Sequence, residues 1–227
     1  MAVGETGTMS ERSPRASQFL ASLQRRPAVT DVALVRSAFA SEGIDIPDVW
    51  LDYHTRYAGL VIDLGASELA VLGIAHHRAK HIGRARYAGL YYDWDDERPQ
   101  GGWLNVASAD AHPSFDFWLT GSGQFLGSGC GGGADAFDTK IEQWAIWSLS
   151  GIDKTWTVQW LKGDVATALA AHEELATSLV REASDSQSTM YAGDGFVIQL
   201  WSDGSAHLVA QRHAPSWLDS FRSAEGR

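Results

Sequence analysis

The stretch GFVIQLWSDGSAHLVAQR, residues 195–212, constrains the fold more than any other part of the chain. Two alternating apolar runs flank Asp203-Gly204. This is the pattern of a tight antiparallel hairpin, because an Asp-Gly pair accepts the left-handed backbone such a turn requires. A two-stranded hairpin is marginal in water, so it calls for further strands and a covering layer. KTWTVQWL, 154–161, reads as a strand or extended segment. DVATALAAHEELATSLVREA, 164–183, predicts one strong helix opened by Asp164, with Val165, Leu169, Leu175 and Leu179 among its apolar positions. SDSQST reads as a flexible connection, and SWLDSF as a short segment that packs back on the body.

The first half has its own organisation. Val32, Val35 and Phe39 recur at near-helical spacing, and Thr30 is the expected cap of a helix that runs through Glu42. GIDI, 43–46, breaks that helix. Pro47 suits the first turn of the next one, since its missing N–H costs nothing there. Trp50, Leu51, His54 and Tyr57 then fall on neighbouring turns, and Gly59 is the expected stop.

Between these halves, ELAVLGIA, GLYYDW and GWLNVAS read as short strands, the last two separated by the charged turn DDERPQG. FDFWLTGSGQFLGSG predicts a hairpin about its Gly-Ser-Gly turn. A helix from about Ala136 to Leu149 follows, with Phe137, Ile141, Trp144, Ala145 and Leu149 on its buried side. The combination predicts an α+β fold, helices flanking an antiparallel sheet.

Composition limits the function classes. Ten tryptophans and 44% hydrophobic residues among 227 indicate a folded chain, and a single cysteine, Cys130, excludes an internal disulfide and a cysteine-based zinc cluster. No run approaches 18 apolar residues and no signal-peptide core opens the chain, so the expectation is a cytoplasmic protein with no membrane partner. The formal net charge is −10; residues 1–27 carry two acids against four arginines, leaving the remainder close to −12. That balance argues against direct nucleic-acid binding and favours a basic protein partner. Residues 1–27, rich in Gly, Ser, Thr, Arg and Pro, are expected to be flexible, with at most a helical turn around QFLASL.

Candidate chemistry is sparse. His76, His77 and His81 have a spacing that could bring two imidazoles to one helix face, but no glutamate lies between them and Arg78, Lys80, Arg84 and Arg86 crowd them. GSGCGGG, 127–133, has neither the Gly-Lys-Ser/Thr ending of a phosphate loop nor Rossmann spacing, and Cys130 has no basic neighbour in sequence to activate it. It reads as a strand-to-helix connection. His54 reads as a core or boundary histidine on an apolar face. Asp93, Asp95, Asp96 and Glu97 surround Trp94 in an expected turn, an aromatic anchor among acids, and form the candidate partner-binding set. No catalytic, cofactor or metal residues are assigned.

Ile46-Pro47, the helix ending Tyr57-Ala58-Gly59, the hairpin Phe117–Phe125 and the helix from Ala136-Phe137 through Trp147 together resemble the SMI1/KNR4 (SUKH) superfamily over roughly residues 28–150. The long stretch ASELAVLGIAHHRAKHIGRAR and the C-terminal residues 151–227 depart from its pattern. The resemblance implies a SUKH-like antiparallel or mixed sheet flanked by helices, with 151–227 as a C-terminal helix and hairpin extension, separate or part of the same body. It also implies a non-catalytic protein-binding module. Bacterial members are often immunity proteins that neutralise toxins, commonly nucleases or deaminases, and the partner expected here is a basic toxin domain. The alternatives are a regulatory or scaffold protein of the same fold, and an enzyme with a dispersed site drawing on His54, the 76–81 histidines or the acids at 93–97.

Overall fold

The computed structural model describes residues 12–28, 31–41, 45–65, 68–73, 92–93, 103–105, 117–127, 132–152, 155–162 and 165–222. Three helices come first: α1 (Pro14–Ser22), α2 (Val32–Ser41) and α3 (Asp48–Tyr57). An antiparallel ribbon follows, β1 (Val61–Gly65) with β2 (Glu68–Val71). Next come β3 (Tyr92–Asp93), β4 (Trp103–Asn105), β5 (Phe117–Thr120) and β6 (Phe125–Gly127), an antiparallel sheet in sequence order, and then α4 (Phe137–Leu149). The remainder comprises β7 (Thr157–Leu161), α5 (Val165–Ala170), α6 (Glu173–Thr177), β8 (Ser188–Gly193), β9 (Phe196–Trp201), β10 (Ala206–Ala210) and α7 (Asp219–Arg222). Its four strands form an antiparallel sheet in the order β7-β10-β9-β8. The fold is mixed α+β.

Pro47 sits one place earlier than the sequence suggests, as the extended residue capping α3 and not within its first turn. Ala58 ends the helix and Gly59 turns it at φ +83°. The segment from Gln24 to Arg26 crosses at that point: the Arg26 N–H donates to the Gly59 carbonyl at 2.7 Å, and a Cβ on Gly59 would collide with the Arg26 carbonyl. Only glycine satisfies both the left-handed backbone and the close approach. In α2 the capping oxygen comes from Asp31, which accepts from the N–H groups of Ala33 and Leu34; Thr30 and Glu42 lie outside the described residues.

Trp50, Tyr53 and Tyr57 of α3 pack with Phe125, Phe137, Ile141 and Trp144 in one core. The rings meet edge to face, as at Tyr53–Phe137 (4.7 Å, 86°) and Phe137–Trp144 (5.8 Å, 81°), the arrangement their quadrupoles favour. The segment Pro14–Ser22, expected to hold at most a helical turn, departs from expectation here. Helix α1 runs for nine residues and contributes Ala16 and Phe19 to this core. Ser13 caps it by accepting from Ala16 N–H, and the Ser13 hydroxyl donates to the buried carboxylate of Glu142 at 2.6 Å. An apolar stripe and a capping serine thus outweigh the segment's loop-like composition.

The long helix expected over 164–183 is also corrected. It is broken into α5, α6 and a 3-10 turn at Arg181–Ala183, with an extended residue at His172. Leu169 and Leu175 are six positions apart, which in a continuous helix places them about 120° apart around the axis. The break returns both to the core formed with Leu161, Phe196, Ile198 and Leu208. SDSQST is a structured turn leading into β8: Asp185 accepts from the N–H groups of Gln187 and Ser188, and from Asp135 across the chain. Trp217 and Leu218 pack back on the body as expected, with Leu218 fully buried and Trp217 stacked on His172 at 4.8 Å.

The opposite face of the β7-β10-β9-β8 sheet meets α4 through Ile146, Met190, Val197, Val180 and Ala183. Helix α4 therefore contributes to the first core and to this cluster on the sheet's other face. Its sequence pattern missed this: Leu149, expected on the buried side, is exposed, and Lys140, Glu142 and Gln143, not expected there, are all buried.

Candidate functional site

The part of the sheet face that α4 leaves uncovered carries the largest exposed apolar groups described. Val158 and Trp160 alternate on β7, at the margin of the sheet, and are 55% and 59% exposed. Their neighbours on the buried side are Gln159 and Leu161, so strand periodicity alone turns the two outward. Trp160 pairs across the sheet with His207 on β10, and His207 pairs with Gln199 on β9.

The rings on this face are nearly parallel. Trp160 stacks on His207 at 4.4 Å and 8°, and on Trp201 at 5.3 Å and 4°. His207 and Trp201 are 6.4 Å apart at 11°. The three distances form a triangle, so the Trp160 indole overlaps both other rings like a shingle. Trp147, from the last turn of α4, approaches His207 at 5.2 Å. Burial lowers the His207 pKa from its ordinary value, and its Nε2 is enclosed without a hydrogen-bond partner among the described residues.

Beside these rings runs a groove of about 450 Å³, lined among others by Trp160, Trp201, Gln187, Asp203, Ser205 and Gly132. Gly132 lies at φ +72°, and a Cβ on it would come within 3.0 Å of the Trp201 indole nitrogen. This end of the glycine cluster thus allows the chain to lie flat against a tryptophan. It is also anchored, by paired backbone hydrogen bonds between Phe125 and Ala134. Asp203 accepts from the N–H and hydroxyl of Ser205, which hold its carboxyl below the usual range. Asp135, held low chiefly by Ser186, receives the Gln187 amide.

A second polar cluster ties helices together. Arg56 donates to Asp138 at 2.6 Å and to Asp52 at 2.5 Å, and the Tyr57 hydroxyl donates to Asp138. Burial first, then the Asp138 carboxylate, pushes the Tyr57 pKa up. Its partners span α3 and α4, a structural seam.

Of the candidate site residues singled out from sequence, only Asp93 and His54 are described. Asp93 ends β3, opposite Trp103 in the register. Trp94, Asp95, Asp96 and Glu97 lie outside the described residues, as do His76, His77, His81 and Cys130. His54 is buried on α3 against Gly73, where an added Cβ would meet its imidazole. Among the described residues no three His, Cys, Asp or Glu side chains form a group able to hold a metal ion, and no helix is long and apolar enough to cross a membrane. Sequence reasoning missed Trp160, Trp201 and His207 as a group. The signal was available: Trp160 and Trp201 both lie on segments read as strands, and cross-strand register brings them together. No protein-family model matches the chain, and comparison with curated proteins and with solved structures finds no match.

Proposed function

We propose that the chain is a non-catalytic protein-binding module of the SUKH type, an immunity protein that binds and neutralises a basic bacterial toxin domain in the cytoplasm. The resemblance suggests a nuclease or a deaminase as that toxin. The observation that carries the reading is the exposed Trp160, set beside Val158 on a marginal strand over two further stacked rings. Large, rigid aromatic groups at the surface are the usual anchors of protein interfaces. Covering the exposed half of an indole, about 100–150 Å², would stabilise a complex by about 3 kcal/mol. The net charge of −10 favours a basic partner by steering its approach. The succession of a proline-capped helix, antiparallel strands and a closing helix supports the family part of the reading.

The experiment uses the full chain as bait in native lysate, followed by co-expression with the captured protein. The expected result is a stoichiometric complex with a basic toxin whose growth inhibition disappears when this chain is present. A captured toxin that stays active under saturating excess of the chain rejects the reading.

A further inference from the structure

We propose that the groove beside Trp160 and Trp201 is a guanidinium site, in which an arginine side chain of the partner stacks on the tryptophans and pairs with Asp203. The inference rests on the protein-binding reading above and names the chemistry of the contact.

Three observations lead to it. The first is ring geometry. Sites that enclose a spherical ammonium surround it with aromatic rings on several sides. Here the indole planes are 4° apart and stacked on one another, which leaves flat surface and no enclosing cage. A flat π-surface suits a planar group, and guanidinium both stacks on aromatic faces and is more weakly hydrated than ammonium.

The second is charge. Asp203 lines the groove, and Asp135 and Asp185 stand behind Gln187, another lining residue. No described lysine or arginine lines the groove; Lys162 is exposed two positions past Trp160, and Lys140 donates to the Gly132 carbonyl but is only 1% exposed and also bonds Gln143. Lys140 presents no donor to an incoming ligand. The third is directionality. Ser205 occupies Asp203 Oδ1 through both its N–H and its hydroxyl, and no hydrogen bond among the described residues uses Oδ2. A fork of N–H donors suits that oxygen.

The site can be tested on the full chain by following indole N–H resonances during titration with a blocked pentapeptide carrying two arginines. Matched lysine and citrulline peptides serve as controls; citrulline keeps the shape and removes the charge. The expected result is a saturable shift of the Trp160 and Trp201 signals with arginine, a smaller one with lysine and none with citrulline. Trp160→Ala and Asp203→Asn should each weaken the arginine peptide about threefold to fivefold. Asparagine keeps the oxygen that Ser205 uses, so Asp203→Asn tests the charge even if the tryptophan variant folds poorly. No shift up to about 10 mM peptide, equal shifts with citrulline, or parental affinity in Asp203→Asn overturns the proposal. A captured toxin bound equally by parent and both variants would overturn the guanidinium site while leaving the protein-binding reading intact. A peptide response with no toxin neutralised would reject the immunity reading alone.

Discussion

The side-chain amide of Gln143, at the centre of α4, donates to the Ser188 hydroxyl on β8 at 3.1 Å, with both residues buried. The same amide donates to the Ala183 carbonyl at 3.2 Å, and Gln199 on β9 reaches the same serine oxygen at 3.2 Å. This polar knot joins the helix of the first core to the sheet of the second. Replacing Gln143 with leucine keeps the volume but leaves buried groups unsatisfied, which should cost about 2–3 kcal/mol. Amide exchange should then accelerate in β8 and α4 together. Acceleration in β8 alone would show that the knot does not couple the two.

Trp50 makes the comparable link inside the first core, its indole N–H donating to the Thr120 carbonyl at 2.8 Å while the ring is fully buried. Trp50→Ala should lower stability by about 3–5 kcal/mol. Trp50→Phe should lose less, about 1–2 kcal/mol, from one lost hydrogen bond and a smaller ring, since the Thr120 carbonyl still accepts from the Gly123 N–H at 2.9 Å. Unfolding midpoints in urea separate the two, and equal midpoints for parent and alanine variant would contradict the packing.

His207 should make stability depend on pH. Burial lowers its folded-state pKa below the ordinary 6.5. Between the two values the unfolded chain binds more protons, so stability rises with pH. The contribution is complete above about pH 6.5 and is lost as pH falls through the lower folded value. Asp135 and Asp203 act in the same direction but only in the acidic carboxylate range. Melting temperature should therefore fall between neutral pH and pH 5, and His207→Phe should flatten that slope. An unchanged slope would assign the transition to another group.

If the chain binds a partner as proposed, kinetics can separate the two candidate residue sets. If Asp93, Asp95, Asp96 and Glu97 guide a basic toxin, neutralising all four should slow association and weaken its salt dependence, while Trp94→Ala should speed dissociation. If Trp160 is the anchor, Trp160→Ala should raise the dissociation rate while the four-charge variant leaves it alone. Identical rate constants at low and high salt would remove the acidic set from the interface.

The fold was legible wherever one local rule was sufficient. Gly59 stopped α3, the Gly-Ser-Gly turn gave β5 and β6, and Asp203-Gly204 gave β9 and β10. Strand β8 escaped notice although Asp194-Gly195, a second Asp-Gly pair with Gly195 at φ +72°, marks its hairpin to β9. Position 140 could not be read at all, because a lysine on a helix normally counts as solvent-facing. Lys140 is inside because its ammonium finds the Gly132 carbonyl, the Gln143 amide oxygen and the rings of Phe125 and Trp144. Gln143 and Trp144 lie one turn further along the same helix, but Gly132 and Phe125 come from outside it, and no local pattern announces them. The aromatic site was hidden for a similar reason: Trp160 and His207 are 47 positions apart and meet only through register.

Residues 140–146 of α4 are buried without interruption, and seven consecutive positions cover about two full turns. The helix has no solvent side along that length. Excising the last third of the chain would leave Gln143 and Ile146 facing water, and transplanting its strands alone would strip Met190 and Val197 of their cover. Any graft of the aromatic face onto another scaffold has to carry the helix with the strands.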